Sequence, residues 1–417
     1  MRATLILFFS FLLLHGNAQV EAAKKWLDSL TSPNFHGRGY VNGGDSIAAE
    51  FLARRFQEFG LKAYGKSYFQ LFYMQVNRFP GKMSVAFDEN SLKPGVDFLV
   101  DPSSGGGEGR YKLFYVDLNN INQLQEKLKT AKNTAYVFEP GKYKGDTLSF
   151  INELMYFVAD NAPVIKVQEE KFMWSVGRSV FLYPLIWLKK DVLDKVSGSD
   201  SVAVEFSVTQ ELVKHKTQNV IGYIQGKNKK AKPIVITAHY DHLGRMGSET
   251  VFPGANDNAS GVSMMLTLME HFSKNQPQRT IVFMAFAAEE AGILGSKHYV
   301  ENPLFPLKNI RFLINIDLAG TGDDGVTVVN GTEFKEEFLM LSRINQEKQY
   351  LKEVRVRGRA ANSDHYWFTL KGVPCFFIYT MGGVSHYHDI YDVAETLPLT
   401  KFNEYHNLLL DFINKLD

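Results

Sequence analysis

The chain has 417 residues, enough for two or three domains or for one large domain with an insertion. It is 45% apolar and 22% charged, which excludes disordered, collagen-like and coiled-coil classes. With 46 Lys plus Arg against 45 Asp plus Glu, the charge of +1 gives no bulk reason to bind nucleic acid, and the single cysteine, Cys375, excludes an intrachain disulfide and a four-cysteine zinc site.

Residues 1–18 read as a secretory signal. Arg2 precedes an apolar run from Leu5 to Leu14, and Gly16-Asn17-Ala18-Gln19 offers a cut after Ala18. The run is short for a span of about 20 residues. The expectation is an exported chain, periplasmic or extracellular and bacterial, with no stable membrane insertion after cleavage.

Residues 19–84 begin the main domain. Ile47, Phe51, Leu52, Phe56 and Phe59 share a helical face, Asp45 or Ser46 is placed to cap it, and Gly60 is placed to end it. Strand-like alternation follows from Tyr68 to Val76. Residues 85–210 are less regular. They hold a Gly-rich turn at 103–109, strand-like stretches at 112–116 and 162–167, and an aromatic stretch at 172–187, with no catalytic spacing.

Residues 211–417 differ in character. Strands are expected at 219–224, 234–238, 280–287, 310–316 and 375–380, with helices at 260–271, 291–300, 333–346 and 401–416. Apolar strands without polar alternation, separated by helices, predict an α/β fold with a mostly parallel sheet covered on both faces.

Chemistry-bearing residues follow those strands, where open α/β sheets place their sites. They are His239-Tyr240-Asp241-His242, Asp257 in a Gly-Asn-rich turn, Glu289-Glu290, Asp317, and His386-Tyr387-His388-Asp389 with Asp392 behind. Mixed imidazole and carboxylate ligands suit zinc, with Mn²⁺ or Co²⁺ as replacements. A set this large, with a spare glutamate, fits two metals sharing one carboxylate.

The residues His239-x-Asp241, Gly254-Ala255-Asn256-Asp257-Asn258-Ala259-Ser260-Gly261, Glu289-Glu290, Asn315-Ile316-Asp317 and His388-x-x-x-Asp392 resemble the M28 family of zinc peptidases, of the co-catalytic bacterial leucyl-aminopeptidase type. Ser363-Asp364-His365-Tyr366-x-Phe368 and Gly37-Arg38-Gly39 extend the likeness to roughly 30–75 and 215–417. The resemblance implies the zinc-aminopeptidase-like (phosphorylase/hydrolase-like) fold, with 85–210 as an inserted, mainly β, protease-associated-like region or lid. It implies that Asp257 bridges two Zn²⁺, that His239 and Asp317 complete one, and that Glu290 and His388 complete the other. Glu289 would be the general base acting on bridging water, Asp241 would fix the ring of His239, and Tyr387 would steady the oxyanion.

The implied activity is removal of N-terminal residues from peptide substrates. A carboxypeptidase or dipeptidase would instead aim a cation at a terminal carboxylate, for which Arg355, Arg357 and Arg359 are candidates. Glutaminyl cyclisation with one zinc, and a binding module without catalysis, are further alternatives. Asp392 either orients His388 or caps a turn. His242 reads as a support or surface group, and His386 as a possible substrate contact. Asp364 and His365 read as structural, and Cys375 as a buried strand residue.

Overall fold

The computed structural model describes residues 19–88, 90–196 and 203–416. The expected signal at 1–18 lies outside them. Among the described residues no helix is long and apolar enough to cross a membrane.

The main sheet has eight strands: β1 (Phe69–Arg78), β2 (Glu211–Ile224), β3 (Ile234–His239), β4 (Ile281–Phe286), β5 (Phe312–Asp317), β6 (Gly325–Val329), β7 (Val354–Val356) and β8 (Cys375–Met381), in the order β1-β2-β4-β3-β5-β8-β6-β7. The central run β4-β3-β5-β8 is parallel. It joins antiparallel partners on both sides, β2 on β4 and β6 on β8.

The reason for the unalternated strands is visible in their packing. Every residue of β3 and β4 is buried. Ile234, Ile236, Ala238, Ile281, Phe283 and Ala285 pack with Met264, Leu268 and Phe412 on one face, in a core also built by the helices Gly261–Lys274 and Phe402–Lys415. Val235, Val282, Met284 and Phe286 pack on the other, with Tyr299 and Phe368 of the helices Leu294–Glu301 and His365–Leu370. Successive side chains point to opposite faces, so covering both demands apolar residues throughout. Each such burial contributes roughly 1.5–3 kcal/mol.

The helix Gly44–Glu58 starts from Gly43 in the left-handed region, with no side-chain cap. The expected cap Asp45 lies inside the helix, where its carboxylate faces His215 and accepts from Thr217, both at 2.8 Å. Tertiary bonds to β2 thus claim the side chain.

A second eight-stranded sheet draws its strands from Ser84 to Val208. Its run Gly107–Tyr115, Thr134–Phe138, Val164–Gln168 and Leu185–Lys189 is parallel. The helices Ile121–Thr130, Gly145–Ala159 and Lys190–Val196 accompany it. One of its cores also takes in Leu243 and, from the hairpin Gly244–Met246/Thr250–Phe252 that follows it, Met246 and Phe252; the hairpin lies between β3 and the Asp257 turn. The second unit is therefore packed onto the site-bearing segment.

Candidate metal centre

Each polar residue of the site sits at a carboxyl end of the parallel run. His239 ends β3, Asp317 ends β5, Glu289 and Glu290 follow β4, and His388 follows β8. Asp257 lies in the turn Ala255–Ser260 that leads into the helix Gly261–Lys274.

That turn is stitched to the strand beside it. Asn256 Oδ1 accepts from the Gly320 amide at 3.0 Å, and Ser260 Oγ from the Ala319 amide at 2.7 Å. Asn258 Nδ2 donates to the Ile316 carbonyl at 3.2 Å, while its Oδ1 accepts from Gly261 N. A Cβ at Gly261 would fall 2.2 Å from that oxygen, so only glycine fits there. Asp392 closes the other side, its carboxylate accepting from the amides of Asn256 at 2.8 Å and Asp257 at 3.0 Å. Of its two expected roles, it takes the turn cap.

Asp257 faces two ways. Its Oδ1 lies 3.3 Å from His239 Nε2, and its Oδ2 lies 3.1 Å from His388 Nε2. Asp317 Oδ2 is 3.3 Å from the same nitrogen of His239, and Glu290 Oε2 is 3.2 Å from that of His388. His239, Asp257 and Asp317 hold ligand atoms within 4.8 Å of one another, as do His242, Asp257 and Glu290. Asp257 is common to both groups; the second takes in His242, which the sequence reading left outside the ligand set, while the expected His388 stands beside it with Nε2 at 3.1 Å from Asp257 and 3.2 Å from Glu290.

The electrostatics suit cations. Burial and Asp257 raise Glu290, but His388 and His242 outweigh them and bring it to about 2. Burial lowers the His388 imidazole, and Glu290 and Asp257 reverse this, lifting it to about 11. Asp317 Oδ1 is buried with no hydrogen-bond partner. A buried anionic oxygen left unpaired is costly, and a divalent cation would satisfy it. The mixed imidazole and carboxylate donors therefore fit a divalent cation such as zinc.

Glu289 behaves differently from its neighbour. Burial holds its carboxyl well above the usual range, with Glu290, Asp364 and Asp317 adding and His239 opposing. It lines a cavity of about 110 Å³ with His239, Asp257, Asp317, Phe377 and Tyr387. A carboxylate whose proton affinity is raised at that position is the stronger base toward a water beside it.

The supporting groups divide the work. His239 Nδ1 faces the Asp241 main-chain carbonyl at 3.1 Å, with the Asp241 carboxylate at 3.8 Å. That carboxylate instead accepts from the amides of Glu289 (3.1 Å) and Glu290 (3.3 Å) and from Tyr40 Oη (2.8 Å). It aims the two glutamates. His242, fully buried, faces Glu290 Oε1 through Nδ1 at 2.7 Å. Tyr387 stacks on His388 with centroids 3.9 Å apart. His386 turns to Asp389 at 3.3 Å.

Of the candidate cations, Arg355 pairs with Glu353 and Arg359 lies 3.6 Å from Glu333, while Arg357 donates to Tyr379 Oη at 3.2 Å. Asp364 and His365 are buried; the His365 ring stacks on Phe377, 5.1 Å between centroids. Cys375 is buried, and burial pushes its thiol up to about 11.

The sequence reading assigned no role to Arg38, yet it underpins the centre. The guanidinium is fully buried and donates to the carbonyls of Tyr240 (2.8 Å), Leu30 (3.0 Å), Pro253 (2.7 Å) and Gly254 (2.7 Å). Burial lowers it to about 10, against the pull of Asp392, Asp257 and Asp241. Its flanking glycines were the available signal: a Cβ at Gly39 would lie 2.4 Å from the Gly244 backbone.

Residues 219–413 match the model of peptidase family M28. Aminopeptidase YwaD of Bacillus subtilis is 35% identical over 140 residues, covering 33% of this chain and 29% of that protein. A vacuolar membrane protease of Vanderwaltozyma polyspora is 32% identical over 120 residues, covering 29% of this chain and 12% of that one. The chain thus spans less than a third of the length of these relatives. Among solved structures, BSAP, a zinc aminopeptidase from Bacillus subtilis, superposes with a TM-score of 0.68 at 20% identity, covering 95% of this chain and 94% of that one. An aminopeptidase from Aneurinibacillus sp. strain AM-1 gives 0.63 at 17% identity, covering 95% and 93%. At these identities the likeness establishes the fold.

Proposed function

From the match of residues 219–413 to the model of peptidase family M28, we propose that the chain is a zinc-dependent aminopeptidase of that family that removes N-terminal residues from peptides. The observation that carries this reading is Asp257, whose two oxygens each face a different histidine Nε2, at 3.3 and 3.1 Å, beside Glu289 in one cavity. His239 and Asp317 would hold one zinc, Glu290 and His388 the other, with Asp257 common to both. Bound there, the ions supply Lewis-acid polarisation of the scissile carbonyl and make water nucleophilic near neutral pH.

The chain's own residues do the rest. Glu289 takes a proton from the attacking water and passes it to the leaving amine, as a positioned carboxylate does in general acid–base catalysis. Burial keeps the Tyr387 phenol protonated, reinforced by the carboxylates around it. It can therefore donate to the oxygen on which negative charge develops. Asp241 holds both glutamates by their amides, so one reaches the metals while the other reaches the water.

We propose export as part of the same reading, on the basic and then apolar residues before Gln19; N-terminal sequencing of the secreted form tests it. The activity is tested with the full chain loaded with zinc, on matched peptides whose ends are free or blocked. Release of the first residue from free N-termini alone is expected. Equal cleavage of acetylated peptides, or loss of cleavage only on C-terminal amidation, would replace the reading with an endopeptidase or a carboxypeptidase. Elemental analysis should return two zinc per chain, and one at saturation would refute the shared-carboxylate centre.

A further inference from the structure

The second unit has no residue among the expected ligands, yet one of its segments reaches both metal-facing loops. The Trp174 amide donates to the His388 carbonyl at 2.9 Å, and the Trp174 carbonyl lies 3.0 Å from His388 Nδ1. A carbonyl only accepts, so Nδ1 must carry the proton, which leaves Nε2 free to bind a cation. Lys171 Nζ donates to the Ser385 carbonyl at 2.7 Å and pairs with the buried carboxylate of Asp389. Arg178 donates to the Ala291 carbonyl at 3.1 Å, one residue past Glu290.

The segment is itself anchored. The Trp174 indole donates to the Val100 carbonyl at 2.8 Å and stacks on Phe252, 4.8 Å between centroids. Phe252 ends the hairpin that feeds the Asp257 turn. His388 has φ +54°, which a non-glycine residue keeps only when its surroundings impose it. Those surroundings are the bonds from Trp174 and Lys171.

We propose that residues 171–178 of the second unit are a positioning element of the metal centre. The Trp174 backbone sets the ring of His388, and Lys171, through Asp389 and Ser385, holds the loop that carries it. The inserted unit is then part of the zinc site rather than only a cover over it. This rests on the two-zinc reading of the cavity.

The test uses the full chain and zinc itself. Zn²⁺ affinity is measured by competition with a chromogenic chelator, and Co²⁺ loading reports the ligand geometry by visible absorption. The loss of such outer partners typically weakens metal binding about 10–100-fold. Lys171→Met should weaken one zinc about tenfold, leave the other unchanged, and alter the Co²⁺ spectrum. Lys171→Arg should restore most of the affinity. Asp389→Asn should match Lys171→Met, and the double variant should be no worse than either. Lys171 is partly exposed, so its variants can fold. Wild-type affinity and spectrum in Lys171→Met would overturn the proposal while leaving the metal reading intact. No zinc uptake by the wild-type chain would instead sink the metal reading, and this proposal with it.

Discussion

Glu289 and Glu290 are adjacent, yet their surroundings divide them. Two histidines bring the Glu290 carboxyl down to about 2, and it faces His388 Nε2; burial raises the proton affinity of Glu289, beside the cavity. Glu289→Gln keeps the size but removes the proton acceptor. It should lower kcat by about 10² or more, with both zinc ions and KM largely retained. Glu290→Gln should lower zinc affinity, with activity partly recovered in excess zinc. Steady-state kinetics with parallel metal analysis distinguishes the pair. Loss of zinc in the first variant and normal zinc in the second would show the roles exchanged. For Tyr387→Phe the ring can still stack on His388 while the donor is lost, so kcat should fall about 10² at unchanged zinc content. A kcat equal to wild type would remove Tyr387 from the chemistry.

At the scale of the element, Arg38 acts as a rivet between the N-terminal segment, the end of β3 and the Asp257 turn. Lysine offers a point charge in place of a planar fork, and cannot meet four carbonyls spread around that fork. Arg38→Lys should cost about 2–4 kcal/mol, from charge-assisted bonds of roughly 1.5–3 kcal/mol each that are only partly replaced. Urea unfolding of the zinc-loaded variant measures this; a midpoint within error of wild type would show the fork to be dispensable. The convergence of His239, Glu289, Glu290, Asp317 and His388 was legible in the sequence because each ends or follows an apolar strand of the parallel run, while Asp257 was legible from its Gly-Asn-rich turn. Such strands declare their ends, and the connectivity of a parallel sheet brings those ends to one edge. The strand β6, buried throughout between β8 and β7, and the edge strand β7 were not foreseen. Val354-Arg355-Val356 is short and largely exposed, and carries no burial pattern to read. The helix Ile121–Thr130 was also missed, although Ile121, Leu124 and Leu128 stand at helical spacing; of its side chains only Leu124 is buried. The clasp on His388 works through the Trp174 backbone, which no residue type announces. Asp241 showed the same limit: its type was readable, but not that its carboxylate would turn to the amides of Glu289 and Glu290 while its carbonyl met His239.

Across the whole molecule, the two sheets are coupled at the metal centre. The second unit's core includes Met246 and Phe252 of the site-bearing hairpin, and its 171–178 segment bonds to the loops at 385–389 and 291. Zinc stabilises the folded state in proportion to the logarithm of its excess over Kd, about 2.7 kcal/mol at a hundredfold excess for one site. Removing it also restores repulsion among the buried carboxylates of Asp257, Glu289, Glu290 and Asp317. A chelated chain should therefore melt roughly 5–10 °C lower, at about 2–4 °C for each kcal/mol in domains of this size. The coupling predicts how the loss is distributed. If the second unit were a separate lid, chelation would lower a transition of the catalytic unit and leave a second one in place. With a shared core and a ligand loop held from the far side, both units should move down together. Scanning calorimetry with and without a zinc chelator decides this, and a transition that stays at its zinc-loaded temperature would refute the coupling.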